Sequence, residues 1–508
     1  MIDIPATEKT NEPDIALLLE GTYPFIRGGV STWVHQLITE FAQLRFALVF
    51  IGDRRESYGA PRYQLPPNVV SLDCLYIAET PPLGPTKARR GHAPAFADMR
   101  ALHAFFRTPD TDLSPVLMER IAEGFGRASG LSYADFQWSE LAWEQITDSY
   151  TKYSTEPSFL DYFWTARSMH APLFALAQGL GTLPKAKAYH VVSTGYAGFL
   201  GALLHFHHGR PLILTEHGIY TKERKIDLSQ VEWIKDAEGV WSTGSGDELS
   251  YLRRLWIRFF EGLGRLTYQA ATPIIAITEG NRQRQLADGA SPKRLRVVPN
   301  GVEVARFAPL RTLRPDPVPL VLGLIGRVVP IKDIATFIRA MRSVCGKLPS
   351  AEGWIIGNED EDPAYAEDCR HLATNLGLDG RIRFLGFQDV TQLLPQLGLM
   401  ALTSISEGLP LVILEGFASG LPAIATDVGA CRELIEGGTD ADRCLGTAGA
   451  VVSIADPQAF ADEAVDLLEN PVRWRSAQQA AIARVEQLYT EESLFASYGA
   501  IYAEALAR

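Results

Sequence analysis

Short apolar runs alternate with amphipathic stretches along most of the chain. Residues 15–19 are continuously apolar, as expected of a parallel strand that is buried on both faces. A helix is predicted next, because the apolar residues from Val30 to Phe41 recur at helical spacing and form a single stripe. A strand, a glycine-containing turn and a packed helix in this order are typical of a βαβ unit.

The same alternation predicts two parallel sheets in tandem. In the first half, further strands are expected over residues 46–51, 190–195, 211–215 and 274–277. In the second half, strands are expected over residues 320–325, 353–356, 382–385, 399–402, 423–425 and 450–452. The predicted fold class is therefore α/β, with two Rossmann-like domains whose polar strand ends face a central cleft.

The best linker candidate is the proline-rich stretch 309–319, so we expect domains over 1–308 and 309–490. Between residues 63 and 185 the chain is first proline-rich and then helical, which we interpret as a helical insertion in the first domain. The aromatic residues of this insertion include Phe105, Phe136, Trp138, Trp143 and Trp164. We expect them to form a core rather than a platform for stacking sugars.

The length and amino-acid composition of the chain argue against several classes of protein and partner. A chain of 508 residues is too long for one hydrophobic core, and its 46% hydrophobic and 21% charged residues are typical of globular domains. The net charge of −12 argues against nucleic acid as a partner. The start of the chain lacks a signal-peptide pattern, and no apolar run approaches the ~20 residues that span a bilayer. Five cysteines without metal-type spacing favour a reduced, cytoplasmic protein.

The most informative stretch is residues 403–422, where a strand gives way to a loop and a short helix. Gly408 and Pro410 interrupt the strand, leaving Glu407 in the loop and Glu415 in the helix. In a continuous helix the two carboxylates would lie about 12 Å apart, which suits the two ends of an elongated ligand. The helix start between them favours an anion such as a diphosphate. The alternative is that Glu407 caps a loop and Glu415 faces solvent.

Other polar residues follow predicted strands, at the edge of the sheet where α/β proteins bind ligands. Arg327 and Lys332 follow one strand and offer a planar fork and a point charge to one anion. His217 follows another strand, so we expect it to belong to a site. Gly28 and Gly29 allow close approach of a ligand, with an ordinary tight turn as the alternative.

Two further patterns carry less information. Histidines cluster within residues 205–208, which resembles a metal site, but helix C-termini also favour histidine and we prefer that interpretation. The D-x-D sequences at 110–112 and 440–442 do not follow strands, so we interpret them as chance.

Together, Arg327 and Lys332, the pair Glu407 and Glu415, and the segments 299–302 and 420–422 resemble the donor site of GT-B glycosyltransferases of family four. This resemblance covers most of the chain except about residues 60–185. More narrowly, residues 20–31 and 216–220 resemble the cytosolic glycosyltransferases of Pel exopolysaccharide systems.

The resemblance implies roles for individual residues. Arg327 and Lys332 would hold the donor diphosphate and stabilise the departing UDP in place of a metal ion, so no metal or other cofactor is expected. Glu415 would bind the ribose hydroxyls and Glu407 would lie at the donor hexose. Gly29 would let its loop close over the phosphates, and His217 would bond the sugar. The resemblance marks further donor contacts at Gly28, Leu409 and Val412.

The activity implied is retaining transfer of a hexose from a UDP-sugar to a growing exopolysaccharide, with the donor hexose left open. Such a protein would act in the cytoplasm, recruited to the inner face of the inner membrane beside synthase and transport subunits. In the family the final helix crosses back to the first domain, and residues 491–508 are candidates for it. The alternatives are another GT-B enzyme, such as an epimerase, and a non-catalytic nucleotide-sugar-binding subunit of a membrane synthase.

Overall fold

The computed structural model describes residues 12–79, 89–109, 111–230 and 250–508, and the chain forms two compact units. The first unit extends to residue 277 and includes residues 281–297 and 498–508. The second unit consists of residues 278–280 and 298–497. Each unit is built on its own parallel sheet.

The sheet of the first unit has seven parallel strands in the order β3-β2-β1-β4-β5-β6-β7. Its strands are β1 (Ile15–Glu20), β2 (Phe46–Gly52), β3 (Val69–Tyr76), β4 (Ala188–Val191), β5 (Leu212–Glu216), β6 (Ile274–Ala276) and β7 (Leu295–Val297). The order reverses between β1 and β4, which pair with Ile15 opposite Ala188. This topological switch point opens a crevice at the carboxyl ends of the two strands.

The helices that follow these strands in the chain up to residue 297 are α1 (Gly29–Glu40), α2 (Ala93–Arg107), α3 (Pro115–Gly124), α4 (Tyr133–Trp138), α5 (Glu140–Tyr153), α6 (Phe159–Gln178), α7 (Tyr196–His208), α8 (Tyr220–Gln230), α9 (Tyr251–Ala270) and α10 (Glu279–Ala287). Helix α1 buries the stripe predicted from its sequence, including Trp33, Val34 and Leu37. The main core of the unit joins the sheet to α2–α9.

The sheet of the second unit has six parallel strands in the order β10-β9-β8-β11-β12-β13. Its strands are β8 (Val321–Ile325), β9 (Glu352–Ile356), β10 (Ile382–Gly386), β11 (Leu399–Leu402), β12 (Ala423–Thr426) and β13 (Gly449–Val452). The order reverses between β8 and β11, where Leu399 pairs with Leu322. All six strands coincide with predicted apolar runs to within a residue or two.

The helices from residue 298 onwards are α11 (Val304–Phe307), α12 (Ile334–Lys347), α13 (Pro363–Asn375), α14 (Val390–Leu393), α15 (Leu411–Ala418), α16 (Cys431–Glu436), α17 (Asp440–Arg443), α18 (Pro457–Glu469), α19 (Pro471–Leu488) and α20 (Glu491–Leu506). The end of α20 belongs to the first unit, where the hydroxyl of Tyr502 and Nδ1 of His190 form a hydrogen bond of 2.9 Å. Within the described residues, the structure contains no helix with the length and apolar character needed to traverse a bilayer.

Two expectations for residues 63–185 were wrong. The insertion does not begin at residue 63, because β3 pairs with β2 as the edge strand of the sheet. This strand is half-buried along most of its length and carries Ser71 and Asp73 among apolar residues, so it lacks the continuous apolar run of a central strand. The predicted aromatic core is also incomplete: Phe105 and Phe136 are buried, whereas Trp138, Trp143 and Trp164 are exposed.

Candidate functional site

The switch point of the second sheet brings together residues that are distant in the chain. Arg327 and Lys332 follow β8, and Glu407 follows β11, its neighbour in the sheet. Because both strands are parallel, their following loops emerge at the same edge. This edge is the candidate donor site of the second unit.

Lys332 and Glu407 form a direct ion pair at this edge. The Nζ atom of Lys332 lies 2.6 Å from Oε1 of Glu407, and the two side chains are only 22% and 12% exposed. The same oxygen accepts a hydrogen bond from Ser404 Oγ at 2.5 Å. This largely buried contact holds both side chains in a fixed orientation.

The two loops are fastened to each other by hydrogen bonds. The hydroxyl of Thr403 donates to the carbonyls of Lys332 and Asp333 at 3.1 and 3.0 Å. The N–H of Ile405 donates to the carbonyl of Ile331 at 2.8 Å. These bonds fix the backbone on both sides of the ion pair, so its geometry is a property of the fold.

Gly429, which the sequence argument did not single out, supports the Glu407 loop from the other side. It has a φ of +53°, and a Cβ atom there would lie 2.3 Å from the carbonyl oxygen of Glu407 and 2.4 Å from that of Gly408. The next residue, Ala430, donates its N–H to the Gly408 carbonyl at 2.9 Å. Only glycine permits this approach.

Arg327 lies near the surface and is not paired with the same group as Lys332. Its Nη1 atom is 2.5 Å from Oε1 of Glu361, and both side chains are about half exposed, at 57% and 48%. Exposed pairs of this kind contribute little stability and exchange partners readily. The structure therefore places the two cations after one strand, each on a separate carboxylate.

Helix α15 begins at Leu411 with Pro410 as its N-cap and has no side-chain cap, while the N–H of Ile413 donates to the Pro410 carbonyl at 3.1 Å. Glu415 lies within this helix, as predicted, and its carboxylate has no hydrogen-bond partner among the residues that the structure describes. Burial raises the pKa of Glu415, and Arg306 partly offsets this. Leu409 is buried in the loop before the helix, and Val412 is half-buried in its first turn.

The predicted residues of the first unit lie at the corresponding edge of its own sheet. His217 follows β5 and packs edge-on against Trp33, with ring centroids 4.5 Å apart. Its Nε2 atom is buried without a partner within the described ranges, and burial lowers the pKa of the ring to about 4. Gly28 is the N-cap of α1 and Gly29 is its first residue, and a Cβ atom at either position would meet open space. Packing within the protein therefore does not require glycine there.

Two carboxylates of this edge were missed as site residues. Glu20, the last residue of β1, accepts hydrogen bonds from Tyr220 Oη at 2.8 Å and from the N–H of Ala197 at 3.1 Å. Glu216, the last residue of β5, is fully buried and accepts from four donors: Thr194 Oγ1, Tyr220 N, Tyr268 Oη and Gln285 Nε2. A charged residue that ends an apolar strand was the signal available in the sequence.

The remaining sequence patterns lie elsewhere. Asp442, in the second D-x-D sequence, accepts a hydrogen bond from the fully buried Arg484 at 2.5 Å and has a structural role. The first D-x-D sequence includes Asp110, which lies outside the described residues. His205 and His207 contact the Arg210 carbonyl and the Arg127 side chain. Over the described parts of the chain, no three His, Cys, Asp or Glu side chains are grouped to hold a metal ion.

Two protein families match the chain. Residues 13–293, more than half of the chain, match the family described as a domain of unknown function (DUF3492). Residues 319–470 match the family described as glycosyl transferases group 1, and this range includes every candidate residue of the second unit.

Curated relatives match mainly part of the chain. The lipopolysaccharide core biosynthesis mannosyltransferase LpsB of Rhizobium meliloti is 28% identical over 218 residues, which cover 41% of this chain and 60% of the relative. The D-inositol 3-phosphate glycosyltransferase of Corynebacterium efficiens is 31% identical over 220 residues, covering 39% of this chain and 50% of the relative. The chain thus spans between half and two thirds of the length of these relatives.

Solved structures match over nearly the whole chain. HepE of Anabaena, solved with UDP, aligns with a TM-score of 0.57 at 14% identity and covers 97% of this chain and 100% of its own. Sucrose-phosphate synthase of Thermosynechococcus elongatus also aligns with a TM-score of 0.57, at 16% identity, covering 97% and 99%. These likenesses confirm the predicted fold class of two Rossmann-like domains. The chain therefore belongs to the DUF3492 family, and residues 319–470 of its second unit match the family of group 1 glycosyl transferases.

Proposed function

We propose that this protein transfers a hexose from a UDP-sugar to a saccharide acceptor. The observation that carries the proposal is the ion pair between Lys332 and Glu407 at the switch point of the second sheet, followed by the unpaired carboxylate of Glu415 on α15. Glu407 suits a sugar, and the cation of Lys332 with the start of α15 suits a diphosphate. Glu415 suits the hydroxyl groups of a ribose.

The chemical step produces a negatively charged UDP leaving group, and fixed cations lower its energy in the transition state. Glu407 engages one of the three N–H donors of Lys332, so the others remain for phosphate oxygens. Arg327 would leave the exposed Glu361 for the diphosphate, which it can bind bidentately. Glu407, held by Lys332 and Ser404, would lie at the donor hexose, and retention of configuration is part of the proposal.

The choice of UDP is supported by the structural neighbours, since HepE was solved with UDP and with UDP-glucose. Glu415 would accept hydrogen bonds from the ribose hydroxyls, with Leu409 and Val412 beside the nucleotide. In the first unit, the buried and unpartnered Nε2 of His217 would bond the sugar. Gly28 and Gly29, which no neighbouring atom requires to be glycine, would leave room for the phosphates. The proposed chemistry uses no metal ion.

A Pel-type exopolysaccharide, extended at the inner face of the membrane beside transport subunits, is the acceptor system we favour. Its support is the resemblance of residues 20–31 and 216–220 to glycosyltransferases of such systems. Both segments lie at the carboxyl edge of the first sheet, where Glu20 accepts a hydrogen bond from Tyr220. Two of the curated relatives, LpsB and LpsE of Rhizobium meliloti, are named for lipopolysaccharide core biosynthesis.

Calorimetric binding of a panel of UDP-hexoses and UDP-N-acetylhexosamines, followed by assays for UDP release, tests the proposal. Glu415→Leu should weaken UDP binding about 10–100-fold, because hydrogen bonds to a charged acceptor are lost. The melting temperature should not fall, because the substitution also removes a carboxylate whose pKa is raised by burial. Glu469→Leu, at an exposed position of α18, is the control and should bind UDP normally.

Two outcomes would contradict the proposal. Failure to bind any UDP-sugar would exclude the donor site. Binding without release of UDP in the presence of saccharide acceptors would favour the alternative of a non-catalytic nucleotide-sugar-binding subunit.

A further inference from the structure

Three tryptophans of the helical part of the first unit face solvent together. Trp138 ends α4, Trp143 lies in α5 and Trp164 lies in α6, and they are 44%, 52% and 57% exposed. All three line one groove of about 710 Å³, within the size range of ligand sites. Large aromatic residues are normally buried, so a cluster of exposed ones indicates a binding surface.

The rings of this tryptophan groove are held in place by neighbouring side chains. Trp143 packs against Phe163 with centroids 6.0 Å apart, and Phe163 meets the Trp164 ring at 81° and 5.3 Å. The guanidinium of Arg167 lies 4.4 Å from the Phe163 ring centre and 5.7 Å from that of Trp138. The aromatic faces are therefore fixed before any ligand arrives, which lowers the entropy cost of binding.

The polar groups in the groove can form hydrogen bonds with the hydroxyl groups of a ligand. Glu140 and Glu144 line it, and neither carboxylate has a hydrogen-bond or ion-pair partner within the described residues. Arg167 donates hydrogen bonds to the Oε1 and carbonyl oxygens of Gln137, while its Nε remains buried without a partner in those ranges. The groove thus offers hydrogen-bond acceptors beside its aromatic faces.

We propose that this groove binds a neutral saccharide chain, the acceptor end of the polymer being extended. The electron-rich face of an indole ring attracts the C–H groups of a pyranose ring, and carboxylates accept hydrogen bonds from sugar hydroxyls. A membrane surface fits less well, because anionic lipids are bound by lysine and arginine clusters whereas this groove has two carboxylates and one guanidinium. The role as an acceptor site rests on the proposed glycosyl transfer; saccharide binding itself does not.

The test uses the full chain without nucleotide sugar and measures calorimetric binding of three hexasaccharides, built from β-linked N-acetylglucosamine, β-linked glucose and α-linked glucose. At least one should bind, and the double variant Trp143→Ala/Trp164→Ala should weaken that binding about tenfold or more. The matched variant Trp143→Phe/Trp164→Phe keeps flat rings and should retain most of the affinity. Val116→Ala, at an exposed position of α3 outside the groove, should have no effect.

Each contrary result overturns the saccharide site. In the first, the wild-type chain binds none of the three hexasaccharides. In the second, the alanine double variant binds a hexasaccharide as tightly as the wild type does. In the third, these tryptophans bind anionic phosphatidylserine vesicles or a second copy of the chain instead. In transfer assays the alanine variant should raise the KM for long acceptors while leaving UDP binding unchanged. If wild-type protein binds the hexasaccharide but transfers nothing, glycosyl transfer fails and the saccharide site stands.

Discussion

At the scale of single residues, substitution of Lys332 tests whether this cation is catalytic or structural. Lys332→Ala should lower kcat about 10²–10³-fold, because one fixed donor to the leaving group is removed. Steady-state assays of UDP release with a saturating donor measure this directly. Circular dichroism should show an intact fold, since the loops keep their backbone hydrogen bonds through Thr403 and Ile405.

The chain contains a matched control for this substitution. Lys347 also lies 2.6 Å from a carboxylate, that of Asp462, but this pair is about half exposed and away from the strand ends. Lys347→Ala should leave kcat unchanged, because exposed pairs of this kind contribute little. If Lys332→Ala retained wild-type turnover, the assignment of the donor phosphates to this lysine would be wrong.

At the scale of elements, the loop after β12 positions the loop after β11. Gly429→Ala would place a Cβ atom against the carbonyls of Glu407 and Gly408, so we expect the Glu407 loop to shift. A displacement of about 1 Å at a reacting group can lower the rate about 10²-fold. The comparison is Gly377→Ala, at a similar positive φ of +66° with no atom within 4 Å.

Gly377→Ala should cost about 1–2 kcal/mol of stability from backbone strain alone and leave activity unchanged. Gly429→Ala should cost more stability and also activity, and denaturant unfolding with parallel kinetics separates the two effects. Equal activity of both variants would show that the loop after β12 does not position Glu407.

The elements also show which parts of this structure can be predicted from a pattern in the sequence. Central strands such as β1 and β11 are covered on both faces, so their continuous apolar runs predict them. The edge strand β3 has a mixed pattern and was not predicted. The contact between Glu20 and Tyr220 joins residues 200 positions apart, and only the sheet order brings them together. The positions of Glu407 and Glu415 were predictable because a glycine, a proline and a strand end define that segment locally.

At the scale of the whole molecule, histidine is distributed unevenly between the two units. Nine of the ten histidines precede residue 298, and His371 is the tenth. In the first unit burial lowers the pKa of seven of them, to about 3 for His190 and about 4 for His208 and His217, with lowered values for His103, His170, His205 and His207. Carboxyl groups with raised pKa act in the opposite direction but occur in both units, for example Glu216 and Glu415.

This distribution predicts that acid weakens the first unit selectively. Below about pH 6.5 the histidines of the unfolded chain take up protons that the folded unit cannot, so the free energy of unfolding falls as pH falls toward the folded pKa values. Hydrogen exchange at pH 7.5 and 5.5, corrected for intrinsic rates, should show lost protection in peptides from β1, β4 and β5. Peptides from β8 and β11 serve as the internal control and should retain their protection, because the exposed His371 is the one histidine of their unit. Equal losses in both units would mean that groups other than the buried histidines control acid stability.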